Sequence, residues 1–476
     1  MVSLTVVVDA TYSGVEELKR LNIAFLKSFL PPSLATAILM GIFLVPHGIG
    51  YRFSIGHVDI PRFILLTVIA FWFVDVLRDF FKSKMIILEP GTKLIGTLVM
   101  LILMSAIASS NPVVSTILAG QLCLLWFVFA LAYSRLFNDD EGGRLLNAAL
   151  IMIFVILFLY ALYEVFFQTY LIPHNYRSSF WGIAGYEWIT SRVLYRSGTI
   201  LAQGPFMWNH ALSGLCAAGS GVAIYAIDKG KNWGLLFACI FVILLISTGC
   251  RAGFYAVAIA FSLYSVWSKK FSYLLHFSLA TLVADIFYQL YFGSHAPVFF
   301  ANDISTHWVE NVPSMNRVVG EFRSLMASKG FLSERTVTYL SSLGPVGIKI
   351  MGFLLNISQI EEWWVLGYGF GSFQRPSQVV SNAIQYDDPG IIQLIFLESG
   401  LVAGFLLVFI LIRATLLSLR YDSLKYYSVG ITAWSLFALS SWEVWPLVLV
   451  VIFVFKIFRY DQSQRNSIAE THRSLH

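Results

Sequence analysis

The chain has 476 residues, 57% of them hydrophobic and 12% charged, with a formal net charge of +5. A soluble domain carries about twice that charged fraction, so a soluble globular protein is excluded and a polytopic membrane protein is expected. At about 20 apolar residues per crossing helix, this length leaves room for about ten to twelve spans and one sizeable extramembrane loop.

The N-terminus shows no short apolar core followed by a small-residue cleavage site: Glu16, Glu17, Lys19 and Arg20 come soon after Met1 to Asp9, so internal spans must drive insertion. Lys19, Arg20 and Lys27 precede a first predicted span from about Ser33 to His47, and a second runs from about Phe63 to Leu77. The basic loop carrying Arg78, Lys82, Lys84 and Lys93 is assigned to the cytoplasm, which fixes the parity of the rest. Spans three (about Leu94 to Ser109) and four (Val113 to Tyr133) are hinged at Asn111-Pro112. Span five (Leu145 to Tyr170) leads to an external segment from Pro173 to Pro205 that carries Arg177, Arg192 and Arg196, where positive charge needs another reason.

Span six (about Phe206 to Ile227) returns to Asp228, Lys229 and Lys231. Span seven ends at Ser247-Thr248-Gly249-Cys250-Arg251, span eight at Lys269-Lys270, and span nine covers about Tyr273 to Tyr291. A long polar loop then separates it from span ten (about Ile391 to Ile412), and spans eleven and twelve flank a short external turn from Ser441 to Pro446. The predicted organisation is a membrane domain over 1–293, an external loop over 294–390, a second membrane portion over 391–460 and a cytoplasmic tail over 461–476, with both termini inside. Within the loop, Val337 to Ile357 is apolar enough to suggest a span but is interrupted by Gly344-Pro345 and Lys349; it is read as an interfacial or re-entrant helix.

Cys123, Cys216 and Cys239 lie inside apolar runs and Cys250 at a helix end, with no C-x-x-C spacing, so neither a disulfide framework nor a metal site is expected. The positive charge sits beside helix ends as a topology signal and gives no reason to expect nucleic acid. No sequence repeat or pair of matching halves is visible.

The parity argument gathers Arg192, Arg196, Arg251, Arg335, Asp387 and Asp388 on one face. Arg251 is expected in the first turn of a helix, where a cation opposes the dipole unless an anion binds; it either does so or reaches to headgroup phosphates. Thr248 is the expected cap of that helix. Arg335, in Ser333-Glu334-Arg335, either clamps a phosphate or makes an ordinary salt bridge. Leu366 to Phe373 is a Gly-aromatic run without the Lys-Ser/Thr of a phosphate loop, which favours a structural turn. Its neighbours Trp363 and Trp364 either stack on sugars or anchor at the interface. In Tyr386-Asp387-Asp388-Pro389 an Asp is either a general base or a cap, with Pro389 in the first turn of span ten. Glu398, an acid inside a span, is either functional or a satisfied hydrogen-bond partner.

These motifs, in this order, resemble the O-antigen ligase and polymerase family. Ser247 to Gly253 is similar to the family's S-T-G-S-R-G turn, with Cys250 for the second serine and an alanine inserted before the second glycine. Ser333-Glu334-Arg335 is similar to its S-x-R, Gly367 to Phe373 to its G-V-G-P-G-N-F, and Leu397 to Leu401 to its A-E-T-G-L. Gly204-Pro205-Phe206 with Asn209 and His210 resembles the segment opening span six. The resemblance covers about Ala202 to Gly404; Pro389 stands near the place of a ligase histidine, and Leu201 near that of an arginine.

The resemblance implies an all-α polytopic membrane glycosyltransferase of GT-C-like fold in the bacterial cytoplasmic membrane. It would move glycan from a polyprenyl-diphosphate-linked oligosaccharide to an acceptor glycan on the outer face, without a metal or other cofactor. It implies catalytic roles for Arg251, Arg335, Asp387 and Asp388, and substrate contacts for Arg196, Arg192, His210, Glu398 and Tyr386. Membrane lipids are expected partners, and there is room for a chain-length regulator. The missing histidine favours a polymerase over a ligase. A lipid-linked glycan flippase and a structural or receptor protein are the alternatives of a different class.

Overall fold

The computed structural model describes residues 32–47, 50–53, 56–83, 91–137, 140–171, 195–196, 199–206, 208–229, 233–292, 319–324, 334–342, 345–359, 365–373, 389–441 and 443–474. Among these, helices stand at every position where a span is predicted. They are α1 Pro32–Leu44, α2 Ile60–Ser83, α3 Thr92–Ile107, α4 Pro112–Leu136, α5 Asp140–Phe167, α6 Asn209–Gly219, α7 Gly221–Asp228, α8 Trp233–Ser247, α9 Arg251–Ser268 and α10 Ser272–Phe292. The series continues with α11 Glu334–Ser342, α12 Pro345–Gln359, α13 Ile391–Arg420, α14 Lys425–Phe437 and α15 Trp445–Ser474.

Five of the described helices are long and apolar enough to cross a bilayer: α2, α4, α5, α10 and α13. α6 and α7 pass the same test together as one span bent by 40°, while α1, α3 and α8 are apolar but shorter. Large apolar side chains point outward without cover, among them Phe63, Phe73 and Phe81 on α2, Met100 on α3 and Leu275 and Leu290 on α10. Water would penalise such continuous faces heavily; lipid tails do not. The chain is therefore a membrane-embedded helical protein. The all-α expectation has two small exceptions, the antiparallel hairpins Gly50–Phe53 with Gly56–Asp59 (β1, β2) and Tyr195–Arg196 with Thr199–Ile200 (β3, β4).

Local chemistry explains the boundaries. Asn111 caps α4, its side chain accepting from the Val114 N–H at 3.4 Å, and Pro112 occupies the first turn, where its missing N–H costs nothing. The middle of α4 widens into a π-helical segment, Cys123–Val128. The α6–α7 bend falls at Gly219-Ser220-Gly221, where a Cβ on Gly221 would stand 1.8 Å from the Tyr426 carbonyl oxygen. α13 contains a break at Gly400, at φ 87° and ψ 168°.

The loops assigned to one side by their basic clusters meet at one end of the bundle. Arg135 pairs with Asp75 at 3.1 Å and with Asp79, Lys270 reaches Asp228 at 3.8 Å, Arg459 donates to the Ser134 carbonyl at 3.0 Å, and Tyr421 donates to Asp461 at 2.8 Å. The loops of the other parity meet at the other end: His47 N–H donates to Pro205 O at 2.9 Å, Ala202 N–H to Ser247 O at 2.8 Å, and Ile391 N–H to Ser441 O at 2.9 Å.

The apolar stretch from Val337 to Ile357 is two helices, because Pro345 cannot continue the first. α11 and α12, of 9 and 15 residues, fold back on each other so closely that a Cβ on Gly347 would lie 1.6 Å from Leu340 O. α12 lies beside the first turns of α13, with Phe353 and Phe396 edge to face and Val337, Ile348, Met351 and Leu355 packed on Leu397. Lys349 donates to Ser440 O, and Asn356 O accepts from Tyr368 at 3.0 Å.

Candidate functional site

The turn between α8 and α9 is built by its own hydroxyls. Ser247 and Thr248 donate back to Leu244 O and Leu245 O at 2.7 Å, and Gly249 takes a φ of 62° against Leu201. Cys250, not Thr248, is the N-cap of α9; Thr248 instead accepts the Cys250 N–H at 3.2 Å. Arg251 occupies the first helical position, as predicted, and is half-buried. Its Nε is buried and has no hydrogen-bond partner among the described residues.

α6 begins beside this turn. Asn209 Nδ2 donates to Thr248 O at 2.8 Å, and its Oδ1 is buried without a partner among the described residues. His210 Nδ1 lies 3.3 Å from Cys250 Sγ. Burial pushes the Cys250 thiol up, but the His210 imidazole, the Gly253 N–H and the Ser213 hydroxyl outweigh it and bring the thiol down from its usual value near 9 to about 7. A half-buried guanidinium, an imidazole and a thiol thus share one turn at a helix N-terminus, where the dipole favours negative charge.

The segment leading into α6 hangs from a residue that the sequence reading passed over. Glu164, fully buried near the end of α5, accepts the Gln203 N–H at 2.7 Å and the Gly204 N–H at 2.9 Å through Oε2. Gln168 accepts the Ile200 N–H at 3.1 Å, and Gln203 Nε2 donates to Tyr170 at 3.1 Å. The available signal was one carboxylate inside an otherwise apolar run, Phe158 to Phe167.

Glu398, also 0% exposed, anchors a second loop. Residues 365–373 form a turn with Gly367, Gly369 and Gly371 at φ 68°, 94° and 89°, as the structural reading of the Gly-aromatic run expects. Tyr368 N–H donates to Leu397 O at 2.9 Å, Gly369 N–H to Glu398 O at 3.1 Å, and Phe373 N–H to Glu398 Oε1 at 2.9 Å. The break at Gly400 frees these carbonyls from the helical ladder. Ser115 of α4 secures the loop by donating to Phe370 O, and Ser105 of α3 donates to Glu398 O beside it. The Glu398 carboxylate therefore holds loop backbone, while its main-chain oxygen also accepts from Ser105 of α3.

The N-cap of α13 is Gly390, whose N–H donates to Gln393 Oε1 at 3.3 Å, so Pro389 lies before the helix and not in its first turn. Asp387 and Asp388 lie outside the described residues, together with Tyr386, Arg192, Ser333, Trp363 and Trp364. Arg196 is in β3 and Arg335 in the first turn of α11; the placement of their side chains is not described.

The structure brings Arg251 and His210 together through Cys250, and Glu398 together with the Gly-aromatic loop. No hydrogen bond or ion pair joins Arg251 to Glu398; packing does. Gly390 abuts Ala438 and Leu439, neighbouring Phe437 lies against Gly214 of α6, and Gly253 of α9 lies against Ser213. Among the described residues no three His, Cys, Asp or Glu side chains could hold a metal ion. Compared with known proteins, the chain matches no family model and no curated sequence.

Proposed function

We propose that the chain is a polysaccharide polymerase of about twelve spans. It transfers glycan from a polyprenyl-diphosphate carrier to an acceptor sugar hydroxyl at the outer face of the cytoplasmic membrane. The observation that carries this reading is Arg251: a cation at the first position of α9, its Nε buried and without a partner among the described residues, close to His210. A cation there opposes the helix dipole and is favoured when an anion such as a diphosphate binds. The ordered motif resemblance, from Gly204 to Leu401, adds the substrate class.

In this mechanism Arg251 and Arg335, with Arg196, hold the donor diphosphate. Asp387 or Asp388 takes the proton of the acceptor hydroxyl as its oxygen attacks the anomeric carbon. The new glycosidic bond forms as the bond from the anomeric carbon to the phosphate oxygen breaks, and polyprenyl diphosphate departs with the electron pair, stabilised by the arginines. Attack opposite the leaving group inverts the anomeric centre. The 294–390 region would be the external lid, kept on the membrane by α11 and α12.

A deletion strain tests the reaction: single lipid-linked repeat units should accumulate. Long lipid-linked chains would instead indicate a ligase, and an intermediate held inside would indicate a flippase. Arg251→Ala and Arg335→Ala should each lower polymer amount by about a hundredfold; unchanged polymer in both would end the diphosphate-clamp mechanism.

A further inference from the structure

The Cys250–His210 contact has a chemistry that the proposed transfer does not use. All four cysteines are free. Cys123, Cys216 and Cys239 lie within α4, α6 and α8, and among the described residues only Cys250 is hydrogen-bonded to an imidazole. Its sulfur stands at the N-cap of an 18-residue helix, 3.3 Å from His210 Nδ1. The adjoining Asn209 is 5% exposed and ties this turn to α6 through Nδ2, while its buried Oδ1 has no partner among the described residues. A thiol in contact with an imidazole at a helix N-terminus is the arrangement that yields a nucleophilic thiolate.

We propose that Cys250 and His210 form a reactive thiolate–imidazolium pair, a modification site for small electrophiles of the disulfide and thiosulfonate class. The inference rests on the pair alone and holds whether or not the chain transfers sugars. In the reaction, the Cys250 thiolate attacks the divalent sulfur of methyl methanethiosulfonate. An S–S bond forms, the S–SO2 bond breaks, methanesulfinate leaves with the electron pair, and His210 keeps the proton. Cys250 itself is 3% exposed, whereas His210 and Arg251 are half-buried, so a small reagent arrives past them.

The groups facing the thiol are His210 and Ser213 from α6, the Gly253 N–H of α9 and, one residue on, Arg251; no carboxylate contributes to its ionisation. The thiolate is therefore fully present well above pH 7 and is lost as the pH falls through about 7, whereas an ordinary thiol loses it at about 8.5 to 9.

The test pulses native membranes holding the full chain with methyl methanethiosulfonate across this pH range and measures modification of each cysteine by mass spectrometry. Cys250 should react fastest, with a half-maximal rate near pH 7. His210→Ala, or His210→Gln if the alanine variant does not accumulate, should slow Cys250 at pH 7 on the order of tenfold and move the midpoint to 8.5 or above. Wild-type Cys250 that stays unmodified while Cys239 reacts, or that has a midpoint near 8.5, overturns the proposal. A histidine variant with an unchanged rate does the same.

Discussion

Glu164 and Glu398 are both carboxylates sunk in apolar helices, and each holds a loop at the same end of the bundle, but they do so differently. Glu164 sits on an intact helix whose backbone, among the described residues, lends nothing to the loop. It holds its share through the side chain, with two consecutive amides on one oxygen, while Gln168 and the Ser247 carbonyl take Ile200 and Ala202. Glu398 sits two residues before the break at Gly400, so the main chain shares the load: two carbonyls released from the helix accept loop amides while the carboxylate takes a third. A buried acid can anchor a loop by charge alone, or a helix can open and lend its own backbone. The second is more redundant toward loss of the acid and more fragile toward any change in the break.

The sharpest way to break the comparison is Gly400→Ala. A Cβ there would stand 2.0 Å from Val365 O, at a φ that side chains avoid. The substitution should cost about 3 to 5 kcal/mol and show as a large fall in thermal stability in detergent, with the 365–373 amides losing protection from hydrogen exchange. Glu164→Ala comes next. It strands two buried amides at about 1 to 3 kcal/mol each, and exchange should rise at Gln203 and Gly204 but not at Phe373. Glu398→Ala should be mildest, about 1 to 3 kcal/mol, because Tyr368 and Gly369 keep their main-chain acceptors. If Glu398→Ala proved more damaging than Glu164→Ala, the backbone would not be sharing the load.

What the sequence made legible was what lies in local pattern. Apolar runs marked where the helices lie, Asn111-Pro112 marked the start of α4, and the glycines of 367–371 announced a tight turn. What stayed hidden depends on residues far apart in the chain. Nothing local says that Glu164 reaches Gln203, or that Cys250 meets His210, 40 positions away. The break at Gly400 was equally silent, since glycine is common inside membrane helices and only the docked loop requires its positive φ. Hydropathy misjudged some lengths: α1 ends at Leu44, short of the predicted His47, whereas α2 and α13 run on past Leu77 and Ile412 to Ser83 and Arg420, because a helix continues into polar sequence until its hydrogen-bond ladder is broken.

The π-helical segment of α4 has a consequence for angular phase. Near the start of α4, Ser115 must face the loop to hold Phe370 O; near the end, Tyr133 must face α1 to reach Ala35 O at 3.2 Å while Arg135 faces the aspartates of α2. An ordinary helix advances about 100° per residue without adjustment, so one end fixes the azimuth of the other. The wider turns of Cys123–Val128 insert an offset between them. The two halves of one helix are thereby indexed separately, one to the loop and one to the opposite end of the bundle. Deleting a single residue within the segment would restore an ordinary helix and force the two to compete for the same rotation.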